Sequence, residues 1–152
     1  MIESYKQSVE EFKRVDHLYY VTLKYTRTVD VLRSVIERMI STFEQGIDAV
    51  LKCMKEEKII DEIPTNPVGK SQLMHEKCND NELRGYLDLY LKMRKIMRAE
   101  YSKREEFRRH VTMITQLEGE TINIDIDLLK EYYDITKNFL TLVKKRVEKY
   151  KE

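Results

Sequence analysis

The residues best suited to chemistry are concentrated between Met97 and Val111, in MRAEYSKREEFRRHV, where Arg98, Lys103, Arg104, Arg108 and Arg109 gather around His110. Histidine gives or takes a proton near neutral pH, and a planar guanidinium grips a carboxylate or phosphate through two parallel N–H donors. Glu100, Glu105 and Glu106 are interspersed, so the plainer alternative is a solvated turn whose charges cancel locally. Arg94 and Arg98 stand out for a second reason. At 100° per residue both fall inside the apolar arc of their helix, near Leu87, Leu91 and Tyr101, where a guanidinium requires a partner. Asp16, between Phe12 and Tyr19 on the apolar face of the first segment, is the other misplaced charge, and an Asp16 to Arg94 contact is expected. Otherwise these arginines line a cleft that meets a phosphate or a second subunit.

Other constellations are thinner. His75 and Cys78 stand three apart, a spacing that suits two metal ligands on one helical face, but a second pair is missing, so no metal site is assigned. GxxxxGK[ST], GxGxxG and HExxH patterns do not occur, which removes phosphate-loop and zinc-protease readings. Ten tyrosines against no tryptophan either stack on bases or fill the core with hydroxyls reaching its rim, and their positions on apolar arcs favour the core.

Holding these groups in place falls to a mainly helical chain. In Thr28–Glu57 the residues Val29, Leu32, Val35, Ile36, Met39, Ile40, Phe43, Ile47, Val50, Leu51, Cys53 and Met54 share one arc, which predicts a single amphipathic helix with Gly46 as a crossing point. Before it, Glu3–Tyr25 carries Tyr5, Val9, Phe12, Val15, Tyr19, Tyr20 and Leu23 on one face, and Lys24–Arg27 reverses the chain. Pro64, Pro67 and Gly69 mark a loop, Ser71–Cys78 a short helix capped by Ser71, and Asn79–Asn81 the cap of a helix running from Glu82 to about Lys103. Apolar residues spread around more than half of that helix, which places it centrally or against a second subunit. From Phe107 the period turns toward two, predicting a β-hairpin over Thr112–Asp125 with its turn at Gly119; Asp125 or Asp127 then caps a last helix. The expected fold is therefore an antiparallel up-and-down bundle of four main helices, with a short extra helix and a small hairpin before the last.

A chain of 152 residues makes one domain able to bury its core without disulfides. Lys and Arg number 28 against 27 Asp and Glu, which removes the simplest argument for a nucleic-acid or membrane surface but leaves a local basic cluster open. The 36% of charged residues, rich in Glu and Lys, resembles proteins built for high temperature. Two cysteines, no long apolar run and no signal-like N-terminus point to a soluble cytoplasmic chain without membrane contact.

Three stretches resemble the HEPN superfamily of small helical bundles: DHLYYVTLKYTRTVDVL (Asp16–Leu32) leading into a long helix, LRGYLDLYLKMRKIMRAEY (Leu83–Tyr101), and Arg104, followed by polar Glu105 and separated by five residues from His110. The last fits that family's pattern of arginine, four to six residues, histidine. The resemblance implies a homodimer that binds RNA or nucleotide, in many members a metal-independent ribonuclease without cofactor. On that basis His110 would move the proton of a ribose 2′-hydroxyl and Arg104 would neutralise the pentavalent phosphate, with Arg98, Arg108 and Arg109 holding neighbouring phosphates. The rival expectation is a catalytically silent helical module that dimerises or docks a partner protein such as a nucleotidyltransferase.

Overall fold

Thr28 ends the first reversal of the chain and starts its longest helix: its backbone is extended and its side chain accepts the Val31 N–H at 3.2 Å, satisfying one donor that the first turn leaves open. The computed structural model, which describes residues 1–78 and 80–150, shows a mainly helical chain with a small antiparallel sheet. Its elements are α1 (Ile2–His17), a π-helical turn (Leu18–Thr22), α2 (Leu23–Tyr25), α3 (Val29–Glu56), α4 (Pro67–Lys77), α5 (Asn81–Arg98), β1 (Tyr101–Arg104), β2 (Thr112–Leu117), β3 (Glu120–Ile124) and α6 (Ile126–Glu148).

Helix α3 is the spine. Val29, Leu32, Val35, Ile36, Met39, Phe43, Ile47, Val50 and Leu51 are all buried, each stabilising the fold by roughly 1.5–3 kcal/mol relative to exposure. Helices α1 and α6 pack along it, and α4, α5 and β2 cover the rest. Gly46 is the crossing point with α6: a Cβ there would stand 2.6 Å from the Phe139 ring, so only hydrogen lets the ring lie flat against Phe43 at 4.5 Å.

Several expected boundaries move, each because a local signal lost to another. Pro67 opens α4 instead of breaking it, since Asn66 caps the helix through the Gly69 N–H and proline suits a first turn that needs no donor. Ser71 is therefore inside α4, not its cap. The expected cap Asn79 lies outside the described residues, and Asp80 caps α5 by accepting the Glu82 N–H at 2.9 Å. Helix α5 stops at Arg98, where Ala99 turns extended, and residues expected to continue it as far as Lys103 pair as β1 with β2, Arg104 opposite Thr112. Strand pairing outweighed a helical period, and the expected hairpin became a three-stranded sheet in the order β1-β2-β3. Between β2 and β3 the two-residue turn Glu118-Gly119, with φ of 52° and 83°, has the left-handed pair that matches strand twist. The π-helical turn rotates Tyr20 out of the face predicted to be buried. Most apolar residues of α5, among them Leu83, Leu87, Leu89, Tyr90, Met93 and Ile96, are hidden within this chain. None of the described helices is long and apolar enough to cross a membrane.

Candidate nucleic-acid interface

Residues 105–111, the turn between β1 and β2, carry Arg108, Arg109 and His110, while Lys103 and Arg104 end β1 and Arg98 ends α5; the rest of the fold pins that turn in place. Arg33 of α3 lies 4.2 Å from the Tyr101 ring and donates to the Met97 carbonyl at 3.3 Å, joining the end of α5 to the start of β1. The Thr115 hydroxyl donates to the Glu100 carbonyl at 2.7 Å, and Lys103 reaches Asp30 at 3.5 Å. Glu106 Oε2 accepts the Val29 N–H at 3.0 Å, placing a carboxylate at the positive end of α3. Its other oxygen faces Lys103 at 3.6 Å. The Phe107 N–H donates to the Arg27 carbonyl at 2.6 Å, which holds the turn against the link between α2 and α3.

This anchoring is bought against backbone strain. Glu105 and Phe107 have φ of 55° and 66°, a left-handed conformation that costs a non-glycine residue about 1–3 kcal/mol and persists only where surrounding contacts enforce it. The outcome is an outward display. Phe107 is 76% exposed, and Tyr25, the last residue of α2, 79%.

Arg98, Arg104, Arg108, Arg109 and His110 are all exposed. Register sets Arg104 opposite Thr112, two residues past His110, so the two groups share one end of the sheet. The Thr112 hydroxyl donates to the His110 carbonyl at 2.7 Å. Among the described residues no hydrogen bond joins the Arg104 and His110 side chains, and both are exposed. The surface has a distinctive charge. Of the other arginines, Arg14 and Arg38 pair with Glu11, Arg94 with Glu44 and Arg146 with Glu57, while Arg27, Arg33 and Arg84 also lack a carboxylate partner among the described residues but are half-buried. Among the described residues no carboxylate stands within ion-pair distance of Arg98, Arg104, Arg108 or Arg109.

The expected contact of Asp16 with Arg94 is absent. Asp16 is exposed and accepts a hydrogen bond from the Tyr133 hydroxyl of α6, whereas Arg94 donates to Glu44 at 2.9 Å. The reason is packing order: α1 lies on α3 and α6, while α5 packs on α3, α4 and α6 and not on α1, so each charge found a partner on its own neighbour. His75 and Cys78 also separate, His75 lying 3.8 Å from Asp88 and the Cys78 sulfur accepting the Asp80 N–H at 3.3 Å. No group of three or more potential metal ligands gathers among the described residues.

Residues that sequence reasoning passed over are Tyr25, Phe107 and the anchor Glu106. One signal was readable: Phe107 is flanked by charge on both sides, an unusual setting for a core residue. Comparison with protein-family models, with curated proteins and with solved structures finds no match.

Proposed function

We propose that this chain binds RNA or nucleotide phosphates through the turn between β1 and β2. The observation that carries this reading is a set of exposed guanidiniums without carboxylate partners, Arg104, Arg108 and Arg109, beside an exposed Phe107 on a strained and anchored turn, with Arg98 before the other end of β1. Unpaired guanidiniums suit phosphates, and an exposed aromatic ring stacks on an unpaired base whatever its identity. The reading treats α1, α3, α5 and α6 as the four helices of a HEPN-like antiparallel bundle.

The same groups support cleavage. His110 takes the proton from a ribose 2′-hydroxyl, the 2′-oxygen bonds to phosphorus, and the bond to the 5′-oxygen breaks, leaving a cyclic phosphate. Arg104 stabilises the charge on the phosphorane, and the leaving oxygen takes its proton from water or from His110 of a second copy. Two copies about a two-fold axis would double the positive field over the RNA. The test is fluorescence anisotropy with single-stranded RNA, followed by a cleavage assay with chelator present. Binding that falls as salt rises, with cyclic-phosphate product, supports the reading; absence of both overturns it.

A second reading, a catalytically silent module for dimerisation or partner docking, is favoured by the outward-facing Tyr20 and Val21 of the π-helical turn and Tyr25 of α2. Sedimentation separates the two: a dimer burying more than about 1,000 Å² in a protein without RNA affinity selects the second.

A further inference from the structure

A second polar site lies away from the basic turn, between α3, α4 and α5. Glu44 and Asp48 stand one helical turn apart on α3 and face a cleft of about 190 Å³ with Gln45, Lys70 of α4 and Tyr90 of α5. Glu44 Oε2 accepts both the Tyr90 hydroxyl and Arg94, each at 2.9 Å, and Asp48 Oδ1 accepts Lys70 at 2.8 Å. Half of each carboxylate is thereby committed. Glu44 Oε1, Asp48 Oδ2, the Gln45 amide and two of the three Lys70 donors have no hydrogen bond among the described residues.

Open acceptors and an open cation thus share one small, partly buried space. Both carboxylates are already balanced, one by Arg94 and one by Lys70, so a lone amine would leave the cleft positive and a lone acid negative, each at a desolvation cost. A molecule carrying both charges adds no net charge and meets both sets of open groups. The volume lies below the range of pockets for drug-sized ligands, which excludes a nucleotide and fits a small metabolite. We propose that this cleft binds a free α-amino acid with a small side chain, its ammonium held by Glu44 Oε1 and Asp48 Oδ2 and its carboxylate by Lys70. The buried Tyr90 ring, packed on Phe43, and Ile47 form the base. Because Asp48 and Lys70 bridge α3 and α4, an occupant tightens the contact of α4 with the spine.

The test is titration of the full chain, by calorimetry and by amide chemical shifts, with glycine, L-alanine and L-valine. Methylamine and acetate serve as the separate halves of glycine. The expected result is saturable shifts at residues 44–48 and 67–70, with an affinity about tenfold or more above either half. Glu44→Gln still accepts from Tyr90, and Lys70→Met keeps the length of the side chain; each variant is expected to lose about tenfold in affinity. Where one of them fails to fold, Asp48→Asn supplies the same measurement. Amino acids that leave these amides unmoved, or methylamine or acetate binding as tightly as glycine, would overturn the proposal.

Discussion

Two charged regions of this molecule are built on opposite principles. In the cleft beneath α4, Glu44, Asp48, Lys70 and Arg94 come from regular helices and each opposite charge is matched across them. At and beside the turn between β1 and β2, Arg104, Arg108 and Arg109 are exposed without carboxylate partners, next to a backbone held in left-handed conformations at Glu105 and Phe107. Paired charges in partial burial stabilise and orient, while unpaired charges in water cost the fold little and remain free for a ligand. The near-zero net charge of the chain conceals this local contrast.

Breaking the contrast begins with the turn. His110→Ala is expected to lower RNA cleavage by about 10²–10⁴-fold with an unchanged urea midpoint; full activity in single-turnover assays would remove His110 from the chemistry. Replacing Arg104, Arg108 and Arg109 together by Ala should flatten the dependence of log affinity on log salt by about 2, at roughly 0.7 per lost phosphate contact. That variant should unfold within about 0.5 kcal/mol of wild type. An unchanged salt slope by anisotropy would show that the turn does not carry the binding.

The cleft should respond the other way. Arg94→Met leaves the half-buried Glu44 with the Tyr90 hydroxyl alone and is expected to destabilise the fold by about 1–3 kcal/mol, measured by urea unfolding, with RNA affinity intact. Glu106→Ala joins the two behaviours, since Glu106 both caps α3 and anchors the turn. It should lose about 1 kcal/mol of stability and weaken RNA binding as Phe107 becomes mobile.

The smallest effect concerns alkaline pH. Burial, then the Glu82 carboxylate, push the Tyr86 hydroxyl up to about 12 from its ordinary 10. The folded state then holds that proton more tightly than the unfolded chain, so the contribution is intact below pH 10 and is lost as pH rises from 10 toward 12. Tyr86→Phe should flatten the fall in urea midpoint between pH 9.5 and about 11; an identical fall in both proteins would assign it to other groups.

Much of the architecture follows from the sequence alone, because amphipathic period and capping are local. The apolar arc of α3, its Thr28 cap and the crossing at Gly46 lie where side-chain spacing puts them, and of the two candidate caps of α6, Asp125 and Asp127, it is Asp125 that accepts the Leu128 N–H at 2.8 Å. The clustering of Arg104 through His110 at one place was also readable, being contiguous in the chain. What the tertiary structure alone decided is non-local. Tyr101–Arg104 carries a period compatible with helix and became a strand because β2 offered it hydrogen bonds. Arg94 and Asp16 both needed partners, but the order in which helices pack on α3 gave them to Glu44 and Tyr133. The exposure of Phe107 depends on Arg27 and Val29, nearly eighty residues earlier, and the cleft beneath α4 exists only where three separate helices meet. Residue spacing fixes which side of an element is apolar; which element covers it, and which charges then face one another, is settled only when the whole chain packs.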